Sequence, residues 1–378
     1  MEEETPANKL HTQIEIKPQG QEPAPSSCFN NPENNNHPEG KFPFFKSRYR
    51  QRASDTWLIS FFVILHLLAF ITTTLFNYLP LGSVFFQPLS ENPLLGPSAS
   101  TLDKVGALRR AFLAQNHQTW RLFVCPWLHA GLIHFAINIS CMIFVGIHLE
   151  RDYGPLRIGV IYLLSAFFGS LVCSLFVRNS PVVASSGSLF GLLGAMLSGL
   201  VRNWKVYSSK CAALAVLFTV FAINFLLGLL PYIDNFANTG AFISGLLLGF
   251  VLLCTPQVRQ MSKNKAGLFE YGVKSSIKLK LDRPILRSVY LLLFLILLVG
   301  CLVAVLLGID INHYCGWCRF VDCIPCKMWN CNDRTNACEI MNSNSELTLT
   351  CLRNGNFRVF PFTNISQARI TDLCAMIC

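Results

Sequence analysis

The sequence predicts an all-α membrane protein that crosses the bilayer seven times and ends in a small cysteine-rich tail. Of its 378 residues, 52% are hydrophobic and only 14% are charged, and the mean hydropathy is +0.42. Several apolar runs reach or approach the roughly 20 residues that an α-helix needs to cross a bilayer. These values exclude an ordinary soluble protein, and nine of the sixteen cysteines lie after residue 308.

The N-terminal segment, residues 1–54, is polar and rich in Pro, Asn, Glu and Gln. Such a composition cannot bury enough apolar surface to fold alone, so we expect disorder there. The segment has no apolar core of the kind found in a cleaved signal peptide. By the positive-inside rule, the cations directly before the first apolar run place the N-terminus in the cytosol. These cations are Lys41, Lys46, Arg48, Arg50 and Arg52.

Seven apolar segments follow, and we predict that each crosses the membrane. Their bounds are 57–79, 127–147, 156–177, 186–202, 210–230, 237–254 and 287–308. The loops assigned to the cytosolic side carry Lys or Arg, most densely at 256–286, whereas the opposite loops at 178–185 and 231–236 carry almost none. The net charge of +10 therefore fits membrane topology and does not require nucleic acid as a partner.

The long loop between the first two spans, residues 80–126, contains a segment at 108–112 whose apolar residues recur at helical spacing. Trp120 and Arg121 follow, and an aromatic ring and a cation are both satisfied at the headgroup level of a bilayer. We therefore expect a partly helical loop that lies on the outer leaflet. The alternative is a solvated loop that carries these aromatic residues by chance.

The tail, residues 309–378, is expected on the non-cytosolic side, where oxidising conditions favour disulfides. It carries Cys315, Cys318, Cys323, Cys326, Cys331, Cys338, Cys351, Cys374 and Cys378. The first four form two Cys-x-x-Cys pairs, but only four residues separate the pairs, far fewer than the roughly 12–20 of zinc fingers and ribbons. We therefore favour disulfides of undetermined connectivity over a zinc site. Asn364 begins an Asn-Ile-Ser sequence and is a candidate for glycosylation.

Ser186 begins an apolar segment in which Gly187, Gly191 and Gly194 share one helix face. Within a membrane, such a face of small residues lets the backbone of another helix approach closely. A hydroxyl at this place requires either a packing role or a chemical role. The alternative to a chemical role is a small polar residue whose hydroxyl binds a nearby backbone group.

His134 and Asn138 lie four residues apart in the second span and therefore on one helix face. Polar side chains are costly against lipid, so we expect both to point into the bundle, toward Ser186. The alternative is that they tie helices together by interhelical hydrogen bonds.

Several short motifs occur in a characteristic order along the chain. They are Trp120-Arg121, His129-Ala130-Gly131, His134-x-x-x-Asn138, Ser186-Gly187-x-x-x-Gly191-Leu192-Leu193-Gly194 and Asp234-Asn235-Phe236-Ala237. Together they resemble the rhomboid family of intramembrane serine proteases, over roughly residues 55–310. The sequence at 92–98 looks like the eukaryotic, plant-type branch of the secretory pathway. The resemblance implies a six-helix core plus a seventh helix, with a site that opens to the non-cytosolic side.

The resemblance also implies roles for the matching residues. Ser186 takes the position of the serine nucleophile, and His134 and Asn138 take the positions that help hold the oxyanion. The position of the family's histidine base is occupied by Asn238. An amide cannot accept a proton at neutral pH, so the site lacks its usual base.

Two milder departures replace a family glycine with alanine, at Ala184 and Ala241. The remaining glycines of the fourth and sixth spans predict close packing of these two helices and therefore an intact scaffold. The glycines expected at this contact are Gly187 and Gly191 on the fourth span and Gly240, Gly245 and Gly249 on the sixth.

The predicted organisation has five parts. They are a disordered cytosolic segment at 1–54, a six-helix membrane core at 55–255, a basic cytosolic loop at 256–286, a seventh helix at 287–308 and a non-cytosolic tail at 309–378. The expected location is a membrane of the secretory pathway, such as that of the Golgi, the endoplasmic reticulum or the cell surface. The resulting partners are the lipid bilayer and transmembrane clients, and the core motifs imply no cofactor or metal.

The missing base predicts an inactive rhomboid-like pseudoprotease that binds or regulates transmembrane clients without cutting them. One alternative is an intramembrane serine protease that uses Ser186 with an unconventional base, for which His134 is the candidate. A second alternative is a structural membrane protein that acts through its tail. The client and the oligomeric state are not encoded in any of these motifs.

Overall fold

A computed structural model gives the fold of the chain. It describes residues 56–81, 85–89, 92–110, 112–113, 117–177, 180–204, 210–253, 284–322, 338–343, 345–351, 355–362, 365 and 367–377. The predicted disordered segment and most of the basic loop lie outside the described residues. Asn364 and four of the tail cysteines, Cys323, Cys326, Cys331 and Cys378, also lie outside them.

The described part of the chain is mostly helical, as the sequence predicts. The helices are α1 (Trp57–Leu81), α2 (Ala99–Val105), α3 (Arg121–Val124), α4 (Leu132–Tyr153), α5 (Pro155–Phe176), α6 (Ser186–Arg202), α7 (Lys210–Leu227), α8 (Asn235–Leu252), α9 (Pro284–Leu306) and α10 (Gln367–Ile377). Among them, α1, α4, α5, α7, α8 and α9 are long and apolar enough to cross a membrane. Helix α6 has only 17 residues but is equally apolar in character.

The second membrane helix begins at Leu132, five residues later than the predicted start at 127. Cys125–Trp127 form a 3₁₀ turn instead, and Leu128 is extended. The first N–H groups of α4 then bind the loop that precedes it, because Leu132 N donates to Leu95 O at 3.0 Å and Ile133 N donates to Leu94 O at 3.2 Å. The loop thus satisfies orphan donors of a helix terminus, and this long-range partner decides where the helix starts.

Helix α6 forms the centre of the bundle and packs against α4, α5, α7 and α8. Its closest neighbour is α8, and glycines make this approach possible. A Cβ atom added to Gly245 would lie 2.0 Å from the carbonyl oxygen of Gly191, and one added to Gly194 would lie 2.1 Å from the carbonyl oxygen of Phe242. Backbone therefore meets backbone along this contact, as in membrane helix pairs with small residues at the interface.

Helix α9 packs against α5 and α8 at the edge of the bundle. Its Phe294 is buried and lies 6.1 Å from Phe168 of α5, measured between ring centroids. Its Tyr290 stacks on Phe250 of α8 at 4.6 Å. Most of its other large apolar side chains are exposed on the surface of the chain.

The long loop between α1 and α4 is partly helical, as predicted: it contains α2 and α3, and Leu113 N donates to Arg109 O at 3.2 Å in a helical turn next to the predicted segment. Ser98 caps α2 by accepting the N–H of Thr101, and Gly106 ends it at a φ of 118°. Leu108 instead forms two backbone hydrogen bonds with Val182, each 2.9 Å long. Only Leu108 is strand-like, and the helical turn starts directly after it at Arg109.

Arg121 is buried within the protein, since only 4% of it is exposed. Its guanidinium donates to the backbone oxygens of Asp103 and Ala107 at 2.7 and 2.8 Å, and to Gln118 Oε1 at 2.8 Å. The neighbouring Trp120 remains 46% exposed. Arg121 therefore holds the loop together from inside, because loop carbonyls left without donors need a buried partner.

Three loops meet at the end of the bundle where α6 and α8 begin. Leu108 pairs with Val182 in an antiparallel bridge, and Val183 pairs with Ile233 in a parallel bridge. Val183 lies three residues before Ser186, the first residue of α6, and Ile233 lies two residues before Asn235, the first residue of α8. These bridges set the entry points of the two central helices.

The tail contains a three-stranded antiparallel sheet that the sequence reasoning did not predict. Its strands are β1 (Cys338–Asn342), β2 (Leu347–Cys351) and β3 (Phe357–Phe360), in the order β1-β2-β3. Leu347, Leu349 and Phe360 form a small core with Leu373 of α10. The predicted tail disulfides include the pairs Cys315–Cys318 and Cys338–Cys374, whose connectivity the sequence left open, and Cys351 is also disulfide-bonded.

The end of α4 fixes the start of α1 through a buried carboxylate. The two carboxylate oxygens of Glu150 accept the N–H groups of Leu58 and Ile59, each at 2.9 Å, and Glu150 is 1% exposed. A negative charge at the N-terminus of a helix satisfies orphan donors and complements the helix dipole.

Glu150→Ala is therefore expected to lower the stability of the bundle by about 1.5–3 kcal/mol, because two charge-assisted hydrogen bonds are lost in a buried place. Glu150→Gln keeps one acceptor oxygen and should lose less. Thermal unfolding of the purified variants in lipid nanodiscs measures the difference. Equal midpoints for Glu150→Ala and the parent would contradict this assignment.

Candidate functional site

Ser186 is the first residue of α6, and its side chain is buried. Its Oγ donates a hydrogen bond to Oδ1 of Asn238 on α8, at 2.6 Å. The two residues are 52 positions apart in the sequence, and the close α6–α8 contact brings them together. The alternative prediction, that the Ser186 hydroxyl binds a nearby backbone group, is therefore wrong.

Asn238 lies in the first turn of α8 and is fully buried. Asp234 caps this helix by accepting the N–H of Ala237 at 2.5 Å. The Nδ2 group of Asn238 donates to Oδ1 of Asn235 at 3.0 Å. Because Nδ2 is used in this bond, the amide oxygen of Asn238 is the atom that faces Ser186.

This pair can hold a hydroxyl but cannot activate it. The amide oxygen accepts a hydrogen bond, yet it does not take the proton away at neutral pH. A serine without an adjacent base is a weak nucleophile. The chemical capability of the Ser186–Asn238 pair is therefore that of a structural hydrogen bond between two helices.

The two alanines that replace family glycines are both buried at this site. Ala184 donates its N–H to Cys125 O at 3.3 Å and accepts the N–H of Gly187 at 3.0 Å. The methyl group of Ala241 lies close to two glycines, because a Cβ atom added to Gly169 would be 3.1 Å from it and one added to Gly187 would be 3.6 Å from it. The methyl group thus occupies space that these glycines leave open.

The predicted glycine contact is only partly as expected. Gly245 lies against Gly191, and Gly249 lies against Ser198, both on α6. Gly240 does not face α6, since a Cβ atom added to it would lie 2.7 Å from Val172 of α5. Gly240 is nearly a full turn and a half from Gly245, so the two cannot share one face of the helix.

His134 and Asn138 are both buried near the start of α4, which packs against α6. Nδ1 of His134 accepts the N–H of Ala130 at 3.3 Å, so the ring carries its proton on Nε2. Asn138 Nδ2 lies 3.2 Å from Nε2 of His129. Within the described part of the chain, Nε2 of His134 and Oδ1 of Asn138 have no hydrogen-bond partner.

Two further histidines, His66 and His129, join this cluster; the sequence analysis named His129 only as part of a motif and did not single out His66. The ring of His129 lies 5.1 Å from that of His66 and 5.2 Å from that of His134. Nε2 of His66 lies 2.5 Å from the hydroxyl of Tyr162 on α5. The available signal was His66 itself, a single ionisable residue in the middle of an apolar span.

His129 is the member of this cluster that lies before the start of α4. Burial lowers the pKa of His129 well below its ordinary value, so this imidazole is uncharged at neutral pH. Nε2 accepts from Nδ2 of Asn138 when the neutral ring carries its proton on Nδ1. Among the described residues, no group of His, Cys, Asp and Glu side chains is arranged to hold a metal ion.

Comparison with known proteins agrees with this arrangement. A family model described as Rhomboid domain matches residues 116–255. The protein named "Inactive RHOMBOID-like protein 8" from Arabidopsis thaliana is 49% identical over 317 residues, which cover 80% of this chain and 90% of that protein. "RHOMBOID-like protein 1" from the same plant is 41% identical over 337 residues and covers 85% of each chain.

A more distant relative, "Inactive rhomboid protein 1" from Papio anubis, is 32% identical over 213 residues, which are 55% of this chain and 22% of that protein. The two plant relatives match 80% and 85% of this chain, and the region that the family model matches, 116–255, holds the Ser186–Asn238 pair. On this evidence the chain belongs to the rhomboid family and is a multi-pass membrane protein.

Proposed function

We propose that this chain is a rhomboid-family protein without proteolytic activity, which binds transmembrane client proteins and regulates them. The observation that carries the proposal is the buried hydrogen bond from Ser186 Oγ to Asn238 Oδ1. An acceptor that cannot take the proton stands where the family resemblance places a histidine base. The name of the 49% identical plant relative, which describes that protein as inactive, supports the same reading.

The expected loss of activity is large. Removing the histidine from a serine hydrolase costs on the order of a millionfold in kcat, because the serine loses its proton acceptor. His134 is a poor substitute, since its Nδ1 already accepts the Ala130 N–H and its Nε2 carries the proton. Its use as a base would also remove the oxyanion donor that the family resemblance assigns to it.

Client binding is supported by what the chain keeps. Helices α6 and α8 pack backbone to backbone through Gly194 and Gly245. Because this packing does not use the catalytic positions, we expect the fold to persist when proteolytic activity is lost. The unpartnered Nε2 of His134 and Oδ1 of Asn138 are buried polar atoms, which are costly when unpaired. A client segment whose backbone is not helical carries free N–H and C=O groups of the kind that would pair with these two atoms.

The orientation we propose places the N-terminus in the cytosol and the tail in the lumen of the secretory pathway or outside the cell. The disulfides Cys315–Cys318 and Cys338–Cys374 support this orientation, because disulfides persist in oxidising compartments and are rare in the cytosol. The basic residues before α1 agree with it under the positive-inside rule.

Purified protein in lipid nanodiscs, incubated with a fluorescent transmembrane peptide, tests this function. Parent, Ser186→Ala and Asn238→His are compared for both cleavage and binding. We expect no cleavage by the parent and the same dissociation constant for the parent and Ser186→Ala. Asn238→His restores a base, and cleavage by this variant would show that the rest of the site is competent.

Cleavage by the parent that disappears in Ser186→Ala would overturn the proposal and establish a protease with an unconventional base. Failure of both the parent and Ser186→Ala to bind any of a panel of transmembrane peptides would overturn the client-binding part. A tail that reproduced the cellular function without the membrane core would favour the structural alternative.

A further inference from the structure

The first part of the tail folds back onto the membrane core. Asp310 forms an ion pair with Arg110 of the loop between α1 and α4, with an N–O distance of 2.8 Å. Asn312 Nδ2 donates to the carbonyl oxygen of Phe176, the last residue of α5, at 2.6 Å. We call the segment Asp310–Asp322 the tail clasp. It includes the disulfide Cys315–Cys318.

The far end of the tail clasp binds the first residue of α8. Asp322 Oδ1 accepts the backbone N–H of Asn235 at 2.8 Å, and Val321 O accepts a hydrogen bond from Nδ2 of Asn235 at 2.9 Å. Asn235 is fully buried and Asp322 is 6% exposed. The N-terminal end of α8 is thus held by two neighbouring residues that lie more than 80 positions later in the sequence.

These bonds decide which way the side-chain amide of Asn235 points. Its Nδ2 faces two carbonyl oxygens, that of Val321 at 2.9 Å and that of Phe225 at 3.1 Å. Carbonyl oxygens only accept, so a flipped amide would place oxygen against oxygen at both positions. Oδ1 of Asn235 must therefore point the other way, toward Nδ2 of Asn238.

The orientation of the Asn235 amide in turn fixes the hydrogen bond of Ser186. Nδ2 of Asn238 donates to Asn235 Oδ1, so the amide oxygen of Asn238 is the atom that faces the Ser186 hydroxyl. Ser186 must then donate its proton, and every bond in the series points from Ser186 toward the tail. The donor and acceptor roles at the buried pair are set in part by a backbone carbonyl of the tail clasp.

We propose that the tail clasp is a positioning element of the Ser186–Asn238 site: through Asp322, Val321 and Asn235 it fixes the first turn of α8 and the orientation of the Asn238 amide. The proposal deepens the proposed function and rests on it in treating this pair as the relic of the family's catalytic pair. It also gives the extracytosolic tail a direct physical connection to the buried site. Displacement of Val321 removes an acceptor on which the orientation of Asn235 depends.

Hydrogen–deuterium exchange of the full-length protein in nanodiscs tests the tail clasp, with mass spectrometry of peptides that cover residues 229–240. Asp322→Ala is expected to speed exchange there by about tenfold or more, since a hydrogen bond to a charged acceptor is lost. Asp322→Asn keeps an acceptor oxygen and should stay near the parent. Asp310→Ala removes the ion pair with Arg110 and the hydrogen bond from Asn312 N–H, but no bond to α8, and serves as the control.

A positioning role and a general loss of stability differ in where exchange rises. Positioning by Asp322 predicts faster exchange at 229–240 with unchanged exchange in α5 and in the interior of α6, whereas global destabilisation predicts faster exchange throughout. Unchanged exchange at 229–240 in Asp322→Ala, or an equal rise everywhere, would overturn the proposal. If Asp322→Ala yields no folded protein, Asp322→Ser is measured instead, with the same expectations.

These results are independent of the cleavage assay. A parent protein that cuts its substrate would overturn the proposed lack of activity and leave the exchange pattern as it is. The opposite combination is a parent that binds without cutting, together with unchanged exchange at 229–240 in Asp322→Ala. That result would support the proposed function and contradict the positioning role of the tail clasp.

Discussion

Replacement of Gly245 by leucine is expected to prevent the membrane core from folding. A Cβ atom at this position would lie 2.0 Å from Gly191 O and 2.6 Å from Gly191 Cα, so the clash is with backbone that cannot rotate away. Helices α6 and α8 would have to separate along the contact that carries Ser186 and Asn238. We expect a cost at or above about 3 kcal/mol, the upper part of the usual range for overpacking.

Gly300→Leu on α9 is the matched control, because a Cβ atom added to Gly300 meets no other atom within 4 Å. Both variants add the same side chain to a glycine of an apolar helix. Size-exclusion profiles and thermal unfolding midpoints in nanodiscs provide the measurement. Normal accumulation of Gly245→Leu, with a midpoint equal to that of Gly300→Leu, would show that the α6–α8 packing described above is wrong.

Arg121→Met is expected to destabilise the loop between α1 and α4 by about 2–5 kcal/mol. Methionine keeps much of the apolar stem but leaves the backbone oxygens of Asp103 and Ala107 buried without their donor, and each unsatisfied group costs about 1–3 kcal/mol. The guanidinium also lies 4.1 Å above the ring of Phe112, a contact that methionine does not reproduce.

Arg110→Met is the control for this change, since Arg110 is half-buried and pairs with Asp310. Ion pairs of this kind are worth about 0–1 kcal/mol, so a small shift of the unfolding midpoint is expected. Limited proteolysis at the loop locates the effect, with faster cutting near 107–120 in Arg121→Met. If the loop resists proteolysis equally in Arg121→Met and Arg110→Met, Arg121 does not have the structural role assigned to it.

Sequence alone was enough to recognise the membrane class, the family resemblance and the absent base. Apolar runs of sufficient length predict helices because a bilayer leaves the backbone no other way to satisfy its polar groups. The ends of most helices agree with the predicted spans to within about three residues. Asn238 could be identified at the position of the family's histidine because the motif Asp234-Asn235-Phe236-Ala237 directly precedes it.

The roles of Arg121, Gly240 and His129 were decided only by the tertiary structure. The sequence suggested a headgroup position for Arg121, but not its hydrogen bonds to the backbone oxygens of Asp103 and Ala107. Gly240 was assigned to the α6 contact and faces α5 instead. His129 lies outside the helical pattern of α4, so no periodicity connected it with Asn138.

The partners of the most consequential groups lie far away in the chain. Glu150 binds α1 across 91 residues, Asn312 binds the end of α5 across 136, and Asp322 binds the start of α8 across 87. A local pattern encodes helix length and which face is apolar, since both depend on residues within a few turns. It does not encode which carbonyl of a folded tail reaches a buried amide, because that depends on how the helices pack, and this packing sets the direction of the hydrogen bonds from Ser186 to Val321.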